Sequence, residues 1–321
     1  MILVTGGAGF IGSAFIKRLN EDNITDIMIV DRLGDGEKWK NLRNLKFTEY
    51  IEVDEFEELL KTTVSHTYEN DIQHIVHLGA CSNTTVYDAT YMMNNNYRFS
   101  KWLYLWAQRR RCPFLYASSA ATYGLTENLC SVDLPTLNEL RPLNIYGYSK
   151  QLFDISMVKE IENGNPVTGL KFFNVYGPNE YHKGKMASMI CQMFEKVKYG
   201  KNIELFKDGE HSRDFIYIKD VVELIMHLFK LKSPGIFNIG TGVKRSFNDI
   251  ASIMKKELKG IYDVNVDYIE MPEYIRSRYQ HNTMADMEII RRRLQYYSEF
   301  FSLENGIKDY IHNYLLDQNY F

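Results

Sequence analysis

The sequence predicts an α/β protein: a doubly wound parallel sheet covered by helices on both faces, with a smaller α/β substrate-binding domain interleaved with it. Three observations predict this. Short apolar runs ended by small residues alternate with segments of helical spacing through residues 1–175, the pattern of a buried parallel sheet. After residue 176 the alternation weakens. No repeat, low-complexity stretch or flexible linker separates the two parts, so domains joined by a hinge are not expected. The expected boundaries are 1–175 for the first domain, with a returning segment near 213–240, and 176–321 mainly for the second.

Each element follows from its local pattern. ILVTG (2–6) reads as a short buried strand ended by glycine. FIGSAFIKRLNE (10–21) has helical spacing at Ile11, Phe15, Ile16 and Leu19. TDIMIVDR (25–32), IQHIVHLGA (72–80) and PFLYASSA (113–120) read as further strands. A long helix is expected from about 87 to 109, and another from Tyr146 to about 163, followed by the strand VTGLKFFNV (167–175). Beyond 176 come a loop leading into a helix, a strand turn and helix in FIYIKDVVELIMHLFK (215–230), and a short strand with glycines in GIFNIGTG (235–242). The segment 303–317 is an amphipathic helix.

Bulk properties exclude several classes. The chain has 321 residues, 45% hydrophobic and 25% charged, ordinary for a globular protein of roughly two domains. Its net charge of −3 argues against a general nucleic-acid binder. Arg109, Arg110 and Arg111 form a dense basic run at the end of a predicted helix, where cations suit the dipole. Cys81, Cys112, Cys130 and Cys191 show no metal or redox spacing, so no metal is expected and a reducing cytoplasm fits. The given sequence opens on a strand pattern, so no secretory signal is expected, and no apolar run is long enough to span a membrane.

The first sixty residues carry a dinucleotide signature. TGGAGFIG lies between the first strand and the first helix, and Gly6, Gly7, Gly9 and Gly12 satisfy the glycine spacings of a phosphate-binding turn. Asp31 ends the second strand about 20 residues later, the usual place for a contact to the adenosine ribose. The expected fold is therefore of Rossmann type. Asp31 favours a free 2′-hydroxyl, whereas Arg32 and Lys38 offer charge for a 2′-phosphate, so the residues alone leave NAD and NADP open.

RPLNIYGYSK (141–150) holds Tyr146 and Lys150, one helical turn apart. With 23 tyrosines in the chain the spacing also occurs at Tyr97–Lys101 and Tyr181–Lys185. Only Tyr146 follows a strand end bearing hydroxyls, Ser118, Ser119 and Thr122, at the sheet edge where such folds bind ligands. A phenol is a poor base near neutral pH. A neighbouring ammonium and a nicotinamide cation would lower its pKa, and a serine would hold the substrate oxygen, allowing proton removal as hydride leaves.

Together the glycine turn, Ser119 and Tyr146-x-x-x-Lys150 resemble the extended short-chain dehydrogenase/reductase superfamily, which acts on nucleotide sugars. HLGACSNTT, YMMNNNY, LYASSAATYG, NVYGP, HKGKMAS and RDFIYIKDV extend the likeness over nearly the whole chain, and resemble its ADP-heptose 6-epimerase branch. The resemblance implies an isomerase that epimerises ADP-heptose at C6″, through a transient 6″-keto sugar, for lipopolysaccharide or another glycan. It implies bound NADP, with NAD as the alternative, and a homo-oligomer. By similarity, Gly6, Gly9, Phe10, Ile11, Gly12, Asp31, Arg32, Lys38, Leu78, Gly79, Ala80, Cys81, Ser82, Asn95, Lys150 and Val175 surround the cofactor. Ser119, Tyr146 and Lys150 are catalytic, and Lys183 is a second acid/base. Asn174, Lys183, Lys185, Gln192, Phe206, Arg213 and Tyr279 contact substrate, Arg213 at the diphosphate. The chain departs from the pattern in four places. Lys185 and Gln192 stand where relatives carry Ser and His, the loop before Arg213 is about one residue short, and Val53 replaces a frequent lysine. The alternatives are another nucleotide-sugar epimerase of UDP-hexose 4-epimerase type, or a non-catalytic dinucleotide-sensing module.

Overall fold

The computed structural model of the protein describes residues 1–61, 71–126, 129–276 and 279–321. Its strands are β1 (Ile2–Thr5), β2 (Ile27–Asp31), β3 (Glu49–Glu52), β4 (His74–His77), β5 (Phe114–Ser119), β6 (Val167–Phe172), β7 (Asn174–Tyr176), β8 (Ile203–Phe206), β9 (Ser212–Tyr217), β10 (Gly235–Ile239), β11 (Lys244–Ser246) and β12 (Val266–Ile269). Its α-helices are α1 (Phe10–Glu21), α2 (Val53–Lys61), α3 (Ala89–Met92), α4 (Phe99–Arg109), α5 (Ile145–Glu162), α6 (Met189–Lys198), α7 (Ile218–Leu231), α8 (Phe247–Glu257), α9 (Glu273–Arg276), α10 (Glu288–Arg292) and α11 (Leu303–Tyr310).

Seven strands make one parallel sheet in the order β10-β6-β5-β4-β1-β2-β3. Side chains alternate across it because successive strand residues face opposite ways. Val4, Ile27, Ile29, Val76 and Leu170 belong to the core on one face. Leu3, Met28, Val30, Ile75 and Phe114 belong to the core on the other. Burial on both faces explains why these strands read as continuous apolar runs. The chain runs outward from β1 through β2 to β3, then returns to place β4 on the other side of β1. That reversal opens a crevice at the carboxyl ends of β1 and β4, where open α/β sheets bind ligands.

The small elements depart from the sequence reading. β3 and α2 were not expected, because EYIE carries carboxylates that a sheet-edge strand tolerates and a central strand does not. The long helix expected over about 87–109 forms: α3, a π segment (Met93–Arg98) and α4 follow one another without a break in helical dihedrals, so the departure is a π stretch inside a continuous helix. VTGLKFFNV is not one strand, since the chain leaves the large sheet at Phe173 and β7 joins a three-stranded sheet, β11-β9-β7. Within 213–240, β9 therefore lies in the small sheet, and β10 enters the large one. β8 and β12 form a separate parallel pair.

Candidate active site

The glycine turn is shaped by close backbone approach. Gly6 has φ +70°, and a Cβ there would fall 2.6 Å from the Gly79 nitrogen after β4. A Cβ on Gly12 would fall 2.1 Å from the Gly6 carbonyl oxygen. Only glycine lets the β1 turn, the α1 N-terminus and the β4 loop meet in this way. No side chain caps α1 at Gly9, so its first amides face the crevice, as a phosphate requires.

Asp31 ends β2 beside this turn. Its Oδ2 accepts the Ala8 amide at 2.8 Å, and its Oδ1 accepts the Arg32 amide at 2.7 Å and the Lys38 ammonium. Arg32 pairs with Asp54 on α2. Both cations therefore stand at the end where an adenosine ribose would lie.

A cleft of about 440 Å³ runs from this turn across the sheet edge. Gly6, Gly9, Phe10, Ile11, Gly12, Asp31 and Lys38 line one end, and Leu78, Gly79, Ala80 and Ser82 line it after β4. Ser119, Tyr146 and Lys150 line it from β5 and α5. Asn174, Val175 and Lys183 complete it. An adjoining cleft of about 200 Å³ shares Gly6, Asp31 and Lys38 and adds Arg32, Val53, Cys81 and Asn95. A donor-rich turn, a ribose-side carboxylate and a long cleft lined by both polar and apolar side chains fit a dinucleotide.

α5 carries the reacting pair. Asn144 caps it, accepting the Gly147 amide at 2.8 Å, so Tyr146 and Lys150 ride its first turns. Tyr146 and Ser119 line the same cleft, and the Lys150 ammonium donates to the Ala117 carbonyl at 2.8 Å. Burial pushes the Tyr146 pKa up, and the Ser119 hydrogen bond offsets part of this. Burial brings Lys150 down to about 8, with Asp154 opposing. Lys150, whose ammonium bonds to backbone, is not among the groups that lower the phenol's pKa.

The three hydroxyls near the end of β5 divide, Ser118 and Ser119 by strand alternation and Thr122 by the turn that follows. Ser118 donates to buried Asp154 at 2.7 Å, and Asp154 also accepts Tyr116 and the fully buried Lys171. Thr122 accepts Lys171 at 2.7 Å and donates to the Ser119 carbonyl at 2.8 Å. Ser119 alone of the three reaches the tyrosine.

The comparisons agree with this geometry. Residues 2–240 match the sequence model of the NAD dependent epimerase/dehydratase family. The chain belongs to that family. At 43% identity over 99% of both chains it is similar to an ADP-L-glycero-D-manno-heptose-6-epimerase of Fusobacterium nucleatum subsp. nucleatum. It is 42% identical over 98% of both chains to the enzyme of that name from Nitratidesulfovibrio vulgaris. The solved structure of the Helicobacter pylori ADP-L-glycero-D-manno-heptose-6-epimerase superposes with a TM-score of 0.81 at 32% identity, covering 97% of this chain and 95% of that one. This family member is an isomerase that uses a nicotinamide dinucleotide and a nucleotide sugar.

Other residues of this epimerase/dehydratase chain lie away from the main cleft. Lys185 and Gln192 line a neighbouring cleft of about 560 Å³ with Tyr181 and Tyr320, joined to the first through Ala187. The Gln192 amide is engaged by the Ala187 carbonyl at 2.7 Å. Phe206, Arg213 and Tyr279 form their own cluster. The Arg213 guanidinium sits 5.0 Å over the Tyr279 ring, which meets Phe206 at 5.6 Å. Asp214 is not its partner; that carboxylate faces the other way and accepts the Thr241, Gly242 and Ala285 amides. Gln280 donates to the Gly124 carbonyl at 2.8 Å, tying the cluster to the turn after Ser119.

Sequence reasoning missed His182, Phe173 and Met186, which line the main cleft, and Tyr91 and Phe99, which line the adjoining one. His182 was legible as the neighbour of Lys183 in HKGKMAS. Burial and the nearby Lys38 and Lys183 hold its pKa at about 4, so it is neutral. Among the described residues, no helix is long and apolar enough to cross a membrane.

Proposed function

We propose that this chain is an ADP-heptose 6-epimerase that interconverts ADP-D-glycero-β-D-manno-heptose and its L-glycero epimer, with NADP as resident cofactor. The observation that carries this is the single cleft joining the glycine turn to Ser119, Tyr146, Lys150 and Lys183, in a chain 43% identical over its length to a protein of that name. Gly6, Gly9, Gly12, Asp31 and Lys38 would hold the dinucleotide, which when bound would supply a reversible hydride acceptor at C6″.

The chain's own residues do the rest. Ser119 holds the C6″ oxygen and Tyr146 exchanges its proton. Lys150 supplies positive charge beneath the phenol while it is protonated. Inverting C6″ requires that hydride return to the opposite face, so the 6″-keto sugar must turn. Lys183, from the segment after β7, serves as acid/base for the second orientation, with its ammonium 5.3 Å over the Phe10 ring. Arg213 and Tyr279 receive the ADP diphosphate. Asn174, Phe206, Lys185 and Gln192 complete the substrate side, with Lys185 and Gln192 acting from the adjoining cleft. On this reading the part up to 175, with β10, holds the cofactor, and most of 176–321 holds the sugar nucleotide.

NADP rather than NAD is supported by Lys38 and Arg32. Lys38 neutralises Asp31, whose oxygens already accept protein donors, which reduces the repulsion a 2′-phosphate would meet. The same reading expects a homo-oligomer in the cytoplasm, tested by light scattering of the purified protein and by fractionation. The reaction is tested by converting the D-glycero substrate and resolving the epimers by NMR. Turnover of UDP-galactose but not ADP-heptose would favour the 4-epimerase alternative.

A further inference from the structure

The segment between β7 and α6 carries Lys183, and a buried carboxylate closes it. Glu180 is fully buried. Its Oε1 accepts the Gly177 amide at 3.3 Å, the Ser188 hydroxyl at 2.7 Å and the Tyr310 hydroxyl at 3.2 Å. Its Oε2 accepts the Ser188 amide at 2.5 Å. One side chain thus joins both ends of the loop, Gly177 and Ser188, to α11.

Every one of these partners donates, so the group must accept at both oxygens, which a carboxylate does and a carboxamide cannot. Inside the clasp, the Lys183 amide donates to the Glu180 carbonyl at 2.9 Å, fixing the turn that projects Lys183. Ser188 in turn accepts the Cys191 amide at 3.2 Å and caps α6. The neighbouring Asn179 is held by the chain's last residue, whose amide donates to it at 3.0 Å, and by Ser13 on α1 at 3.0 Å. Tyr181 donates to the Asn319 carbonyl at 2.9 Å. Burial raises the Glu180 pKa, and Lys183 is the largest influence opposing this.

We propose that Glu180 is a positioning residue for the second acid/base: by clasping Gly177 and Ser188 to Tyr310 it holds the Lys183 turn against the cleft. This rests on the reading of Lys183 given above. It makes the C-terminal helix part of the catalytic apparatus, although that helix contributes no lining residue to the main cleft.

The test is a kinetic double-mutant cycle on the holoenzyme, with Glu180→Gln, Lys183→Met and the double variant. Misplacing a reacting group by about 1 Å costs up to about 100-fold. Glu180→Gln is expected to lower kcat by about that factor, with KM and bound cofactor retained. On the Lys183→Met background it is expected to cost less than about threefold, since coupled residues are not additive. A full multiplicative loss on that background, or a raised KM with kcat unchanged, overturns the proposal. If Lys183→Met alone turns over like the parent, the reading of Lys183 fails, which is a different result. If Glu180→Gln does not fold, Tyr310→Phe removes one donor and carries the same cycle with a smaller loss.

Discussion

Tyr146 is where the chemistry is concentrated, and its surroundings say how it should behave. Burial raises its pKa, so at neutral pH the phenol keeps its proton until the loaded site stabilises the anion. Removing the phenol oxygen by Tyr146→Phe should cost about 10²–10⁴-fold in kcat, with cofactor still bound; absorbance of the purified protein and epimer ratios check both. Lys150 sets a pH limit. Its pKa is brought down to about 8 from 10.5, so the folded protein sheds this proton earlier than the unfolded chain does. The supporting charge is present below about pH 8 and is lost above it, so kcat measured from pH 6 to 9.5 should fall on the alkaline side. Ser119 shows what was legible at this scale. The sequence offered Ser118, Ser119 and Thr122 together, and only the facing of β5 for Ser118 and the turn after it for Thr122 assign these two to the Asp154–Lys171 pair. No spacing rule states which face of a strand that is buried on both sides meets a ligand.

At the scale of elements, the glycine turn and α5 were readable because their signals are local. Small residues allow a close approach, and an Asn sits at the N-cap. A Cβ on Gly12 would lie 2.1 Å from a backbone oxygen, which no rotamer can relieve. Gly12→Ala should therefore lose bound cofactor, read by absorbance, and unfold at lower temperature. The π stretch inside the expected long helix was not readable, because it goes with a distant contact. Asn96, in the π segment, donates to the Cys81 carbonyl and to Ser149 on α5 and accepts the Cys81 amide. This ties the loop after β4 to the catalytic helix. The buried pair Asp154–Lys171 braces β5, β6 and α5 behind the site. Removing one partner of such a pair costs about 3–5 kcal/mol, so Asp154→Ala should lower the urea midpoint markedly at unchanged slope.

For the whole molecule, the large sheet was legible and the small sheets were not. Continuous apolar runs announce parallel strands, whereas β7, β8, β11 and β12 have only three or four residues each and gain their pairing from distant chain. Acid stability follows from groups spread through the fold. His77 is buried between Thr5 and Ser100, and burial holds its pKa at about 3 against 6.5. From pH 6.5 downward the unfolded chain binds a proton there that the folded protein does not, so stability is lost as pH falls through that window. Urea unfolding at pH 7, 6 and 5 should show this decline, and His77→Gln should flatten it by close to one proton. Cofactor choice is also a property of the assembled edge: Arg32→Ala with Lys38→Ala should shift preference from NADP towards NAD, measured by the affinities of the two for cofactor-stripped protein.

The central claim is that the protein, with its own cofactor, inverts C6″ of ADP-heptose. The most direct measurement is NMR of ADP-D-glycero-β-D-manno-heptose incubated with the purified protein and no added cofactor. The account predicts growth of the L-glycero epimer to equilibrium, with no net oxidation or reduction. An unchanged substrate, with NADP and then NAD supplied, would contradict it.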